Sequence, residues 1–229
     1  QIQKLINDVY LAQIKQKDAK LTALRTQINP HMLYNTLESI RMKALVKGDA
    51  EVAEMIKILS KMFRASLGKD DDQNTIRNEL EYVENYIKLQ NVRFQGRFHF
   101  TYEVPGELLD MPIVPLVFQP IVENSFEHGF TGMDPEEKRQ IIITARKMGD
   151  RMILRVRDNG RGMSLKQVEE MNQKFSQPYD AIALRHQKEH GIGLDNINDR
   201  LQIFSHSNDR LVLRSREGKY TSMFILQTL

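Results

Sequence analysis

The 229-residue sequence contains no cysteine and no tryptophan. Without cysteine, disulfide staples and thiolate metal sites are excluded. No apolar run approaches the roughly 20 residues of a membrane-spanning helix, and no signal-peptide pattern is present. Neither sign of charge dominates: 33 Lys and Arg against 30 Asp and Glu leave a formal net charge of +3. In the linear sequence the cations are interspersed with acids, which gives no reason to expect a nucleic-acid partner. Helix breakers are scarce early on, with no glycine before Gly48 and Pro30 the one proline in that stretch. What is present, 41% hydrophobic and 28% charged residues, is ordinary for a water-soluble chain of one or two domains with a real core.

Residues 1–47 read as one long helix. Ile2, Leu5, Val9, Ala12, Gln16, Ala19 and Ala23 follow the 3-4 spacing of a coiled-coil seam. The chain starts inside this pattern, which reads as a fragment of a longer protein. Gly48-Asp49 marks the tip of a helical hairpin, and Val52, Met55, Ile56, Leu59, Met62 and Phe63 line one side of a return helix over 51–67. Gly68 and Asp70-Asp71-Asp72 end it. A third helix is predicted over 76–93, capped by Asn74 or Thr75. After Gly96 the period changes. Strands are predicted over 97–104, 140–148, 152–158, 210–216 and 220–228, and helices over 114–128, 164–175 and 191–205. An all-helical region thus precedes an α+β region with an antiparallel or mixed sheet.

Two sets of residues carry chemistry. The first is Asn29-Pro30-His31-Met32-Leu33-Tyr34-Asn35. A proline within a helical pattern bends the helix and exposes its neighbour. A neutral imidazole is a good nucleophile near neutral pH. Asn35, at i+4, shares its face and is placed to hold a water or a phosphoryl oxygen. The second set comes in three pieces. Glu123-Asn124-Ser125-Phe126-Glu127-His128 puts Asn124 and His128 on one helical face, and a carboxamide oxygen suits Mg²⁺. Asp158-Asn159-Gly160-Arg161-Gly162 follows a strand, with an acceptor for the exocyclic amine of adenine and two glycines for close backbone approach. Gly191-Ile192-Gly193-Leu194 opens a helix, a place for anions.

The histidine string resembles the phosphoacceptor box of the LytS/YesM-type sensor histidine kinases, close to Q-x-N-P-H-F-L-Y-N, with Met32 where Phe is usual. The other three pieces, in this order, resemble the asparagine and glycine boxes of the GHKL (Bergerat-type) ATP-binding fold. This resemblance covers residues from about 20 to 229. It implies a signalling helix over 1–25 and a phosphotransfer hairpin over 26–72 that pairs with a second copy into a four-helix bundle. An α+β ATP-binding sandwich over 73–229, with its linking helix at 76–93, then follows. It implies autophosphorylation of His31 from ATP and transfer to an aspartate of a response regulator. By the same resemblance Asn124 is the Mg²⁺ ligand and Asp158 reads adenine. Gly160, Gly162, Gly191, Gly193 and Leu194 shape the pocket with His128, Thr221 sits near the base, and 176–190 form a lid where Arg185, His186 and Lys188 reach phosphates. It also implies a cytoplasmic position, below an upstream membrane-spanning sensor.

Three positions depart from the relatives. Pro120 stands where hydrolysing GHKL members carry a water-activating Glu, which argues for phosphoryl transfer over a GHKL ATPase. Glu127 stands where many relatives have a cation, and no acid follows His31 directly. These last two motivate the alternative of a catalytically weak signalling module. The proton acceptor for His31 is left among Glu38, Glu123 and solvent.

Overall fold

The computed structural model describes residues 30–67, 74–94, 96–134, 136–177, 193–204 and 209–228. Expectations for the seam over 1–25, Gly191 and the segment with Arg185, His186 and Lys188 lie outside the described residues. Contacts divide the chain into two compact units, Gln1–Lys69 and Asp70–Leu229.

In the first unit, helix α1 (Pro30–Val46) and helix α2 (Ala50–Leu67) form the expected hairpin. Gly48 turns the chain at φ +78°, where a side chain is strained. Asp49 then caps α2 through the amide of Val52 at 3.1 Å. Ala44, Ala53, Ile58 and Met62 are buried, while Met32, Ile40, Met42, Leu45, Val46, Leu59 and Phe63 stay exposed. The described helix starts at Pro30, so the bend expected before His31 falls outside the described residues.

The second unit opens with α3 (Ile76–Arg93), capped by the Thr75 hydroxyl at the amide of Asn78. A five-stranded mixed sheet follows, made of β1 (Phe98–Glu103), β2 (Arg139–Met148), β3 (Arg151–Asp158), β4 (Arg210–Arg216) and β5 (Tyr220–Thr228), in the order β1-β2-β3-β5-β4. Among the described residues only β1 and β2 run parallel. Alternation along β2 and β3 sends Ile141, Ile143, Met152, Leu154 and Val156 into the core. There they meet α3, α4 (Phe118–Asn124), α5 (Leu165–Phe175) and α6 (Leu194–Phe204). At each edge of the sheet an asparagine side chain occupies the backbone groups of one residue. Asn91 bonds the amide and carbonyl of Phe98 at 2.8 Å each, and Asn172 does the same to Leu213.

The helix predicted over 114–128 requires correction. The α-helix starts only at Phe118 and gives way after Asn124 to a wider π-type turn, Ser125–Gly129. Residues 114–117 are not helical, and Leu116 sits at φ +55°. The cause is distant in sequence. The buried Glu79 carboxylate on α3 accepts the amide N–H groups of Leu116, Val117 and Phe118 at 2.7, 2.9 and 3.0 Å. Arg200 on α6 donates to the carbonyls of Pro115 and Leu116 at 2.7 and 2.8 Å. Together they fix the start of the helix that carries Asn124. Substituting Glu79→Ala strands three amide donors, each costing about 1–3 kcal/mol when unsatisfied. We expect a loss of about 3 kcal/mol in urea unfolding, and a loss below about 1 kcal/mol contradicts this role.

Candidate functional site

His31 and Asn35 occupy the first turns of α1, both exposed, with the Asn35 carboxamide nitrogen 3.3 Å from His31 Nδ1. The spacing of four residues therefore makes the contact expected from helix geometry. Glu38 is differently engaged. Both its carboxylate oxygens accept from Arg41, at 2.8 and 2.5 Å, and that guanidinium holds its carboxyl below the usual range. A carboxylate so occupied is a weak proton acceptor.

The second unit contains a cavity of about 780 Å³ lined by Asn124, His128, Asp158, Gly162, Leu194 and Thr221 among others. That size suits a small-molecule site. Residues separated by nearly a hundred positions are brought together by three backbone joints. Arg161 N–H donates to the Gly129 carbonyl at 2.8 Å, Gly218 N–H to the Arg161 carbonyl at 2.6 Å, and Asp158 pairs with Thr221 across β3 and β5. The glycines permit these joints. A Cβ on Gly160 would overlap the Gly129 carbonyl, and one on Gly162, at φ +67°, would overlap the Arg216 carbonyl. Gly193 lies beside Asn124, where a Cβ would stand 3.2 Å from its Nδ2.

Asp158 is the electrostatic centre. It is 6% exposed, and burial pushes its carboxyl above the ordinary carboxylate range. Hydrogen bonds oppose that shift: Gly160 N–H donates to Oδ1 at 2.9 Å and Ser125 Oγ to Oδ2 at 3.0 Å. Asn124 donates its Nδ2 to the Pro120 carbonyl at 2.8 Å, which fixes the orientation of the carboxamide and leaves the Oδ1 lone pairs as its acceptor.

Gly160 and Gly193, expected to shape the pocket, stand behind its lining and not in it, and Glu123 is not brought to it either. Glu123 instead accepts from Gln119 Nε2 at 2.8 Å. Glu127, whose charge seemed to oppose phosphate, also stands outside the lining, with its side chain 72% exposed. Sequence reasoning missed Ser125 and Arg161, both of which line the cavity. Arg161 was visible inside Asp158-Asn159-Gly160-Arg161-Gly162, whereas the Ser125–Asp158 bond joins residues 33 apart and leaves no local signal. Removing that hydroxyl with Ser125→Ala deletes one hydrogen bond worth about 0.5–1.5 kcal/mol. The expected result is nucleotide affinity weakened about 3- to 10-fold in calorimetry, and an unchanged affinity contradicts it.

A family model described as "Histidine kinase" matches residues 19–98. One described as "Histidine kinase-, DNA gyrase B-, and HSP90-like ATPase" matches residues 111–229. The chain is 31% identical over 225 residues to "Sensor histidine kinase YesM" of Bacillus subtilis, covering 98% of this chain and 36% of the relative. It is 34% identical over 149 residues to "Sensor histidine kinase BtsS" of Escherichia coli K12, covering 65% and 26%. It is 32% identical over 212 residues to "Sensor protein LytS" of Oceanobacillus iheyensis, covering 92% and 34%. The chain thus spans about a third of the length of these relatives or less. Among the described residues no helix is long and apolar enough to cross a membrane.

Proposed function

This chain belongs to the sensor histidine kinase family, and from that premise we propose that it moves the γ-phosphoryl group of ATP to its own His31 and then to an aspartate of a response regulator. The observation that carries the reading is the cavity that gathers Asn124, Asp158 and Thr221 from three distant stretches around a buried acceptor. Asp158 accepts the exocyclic amine of adenine, and Thr221, opposite it on β5, lies beside the base. Methionines 163, 171 and 223 supply the apolar walls. Gly193 and Leu194 bring the start of α6 towards phosphate, where a helix N-terminus favours an anion. His128 and Arg161 add donors at the cavity rim.

The Asn124 oxygen fits a hard cation. Among the described residues no cluster of three acidic or imidazole groups forms a cage. This favours Mg²⁺ held by one carboxamide together with phosphate oxygens and water. When bound, Mg²⁺ neutralises charge that develops on the transferred group.

At His31 the imidazole must present one lone pair. Turning the Asn35 carboxamide end for end lets its oxygen accept Nδ1–H, which leaves the lone pair on Nε2. The new P–N bond forms as the β–γ P–O bond breaks, ADP departs, and the ring carries its proton until it is released. Glu38 is committed to Arg41 and Glu123 to Gln119. Solvent is therefore the acceptor. Pro120, one turn before Asn124, cannot activate water, so transfer is favoured over hydrolysis. The exposed apolar residues of the hairpin, Ile40, Leu45, Leu59 and Phe63 among them, suit pairing with a second copy into a four-helix bundle. An upstream membrane sensor would deliver the stimulus.

Incubation with γ-labelled ATP and Mg²⁺ tests the reading. The expected result is protein-bound label that is stable in alkali and lost in acid. Steady phosphate release without bound label would support a hydrolase instead.

A further inference from the structure

Among the described residues the sheet is covered by helices on one face only, and its other face is cationic. At outward positions β3 presents Arg151, Arg155 and Arg157, and β4 presents Arg210, Arg214 and Arg216. β2 adds Arg146. The outward positions of β2, β3, β5 and β4 carry no Asp, Glu or Lys. In the linear sequence these cations are diluted by the inward-facing apolar residues between them, which hid the stripe.

Their arrangement is ordered. Phe224 is flanked by two guanidiniums, Arg155 at 5.5 Å and Arg214 at 5.4 Å from the ring centre. Arg157 lies 4.4 Å over Tyr220. Arg155 also donates to Ser222 Oγ at 3.3 and 3.4 Å. Arg157 and Arg214 face Ser222 from opposite sides, two strand spacings or roughly 10 Å apart. Between the cations lie the half-buried Ile142, Ile153, Val212 and Leu226. Crowding has a cost: burial, and then the charges of Arg157, Arg146 and Arg214, hold the Arg155 guanidinium below its ordinary value. Among the described residues the edge strand β1 adds one outward acid, Glu103 beside Thr144, and cations so far in excess of counter-charge are unfavourable for the isolated fold.

We propose that this sheet face docks an acidic amphipathic helix of a partner protein. Apolar and aromatic side chains interleaved with arginines, a residue enriched at interfaces, suit a protein partner. Stacked guanidiniums are held planar and pair with carboxylates two bonds at a time, which lysine does not do. Carboxylates four and seven residues apart on a helix recur at about 6 and 10 Å, close to the spacing of these arginines. A helix here also gives the sheet its second layer. Nucleic acid would need open aromatic faces for stacking, and those of Phe224 and Tyr220 are taken. The large apolar side chains at the outward positions of β3, β4 and β5, Ile153, Val212, Phe224 and Leu226, are half-buried among the cations and do not protrude as a membrane wedge would.

The test is fluorescence anisotropy with the whole chain. The probe is a labelled 18-residue helical peptide carrying a leucine stripe flanked by glutamates. The expected result is saturable, salt-sensitive binding. It weakens at least tenfold in Arg155→Glu/Arg214→Glu and severalfold in Arg155→Lys/Arg214→Lys, with circular dichroism unchanged in both. The Lys variant keeps the charge and the fold if the reversal does not. Absent binding, or equal binding by both folded variants, overturns the proposal. So does tighter binding of vesicles containing 30% phosphatidylserine, or of oligo-deoxythymidine, than of the peptide.

Discussion

Substituting His31→Gln is expected to reduce protein-bound phosphoryl label from ATP at least ~100-fold, to the assay background. Glutamine keeps the length and polarity of the side chain but offers no nucleophilic lone pair at neutral pH. His31 is exposed on α1, in a unit distinct from the one that holds the cavity. Its removal therefore leaves ATP affinity unchanged, and calorimetry with the variant checks this. Asn35→Ala keeps the nucleophile and loses only the group that selects its tautomer. The expected result is label incorporation slowed about tenfold, with the same acid lability and the same ATP affinity.

The second large effect is expected at Asp158. In Asp158→Asn the new amide oxygen still accepts from Gly160. Its nitrogen can donate to Ser125, whose hydroxyl already lies 3.2 Å from the Ile121 carbonyl. These two hydrogen bonds are kept, but the cavity now meets the adenine amine with a donor in place of an acceptor. A site built around one hydrogen bond rejects its mismatch strongly, so ATP affinity should fall about 100-fold. Stability should move the other way. Burial raises the Asp158 carboxyl, so the folded chain holds that proton more tightly than the unfolded chain. The contribution of this group to stability is then greatest in acid and is lost as pH rises through its folded value. At pH 7 the variant is relieved of a buried charge, and its melting temperature should be equal to or above that of the parent. A lower melting temperature together with intact ATP binding would contradict both halves of this argument.

Local pattern was enough for much of the second unit. The strands at 210–216 and 220–228 and the helix at 76–93 were predicted with their observed ends, because alternation and a capping threonine are signals carried within a few residues. The segment 114–117 failed in part for the opposite reason. Pro115 already turns Val114 away from the helical conformation, and Glu79 and Arg200, each dozens of positions away, claim the backbone groups that follow. The cavity was legible in the same uneven way. Asp158 and its glycines announced a tight turn, yet the Ser125 hydroxyl that steadies the carboxylate is seen only when β3 lies against the turn after α4. The arginine face needed register as well: every second residue of β3 and β4 was in plain view, but not that the strands stack their cations around Phe224.

The account rests on a phosphoryl group passing from ATP to one imidazole. Peptide mapping by mass spectrometry, with digestion kept alkaline after incubation with ATP and Mg²⁺, tests it most directly. The account predicts a phosphoryl adduct on the peptide containing His31, absent in Asp158→Asn. Phosphorylation confined to another residue, or free phosphate with no modified peptide, would contradict it.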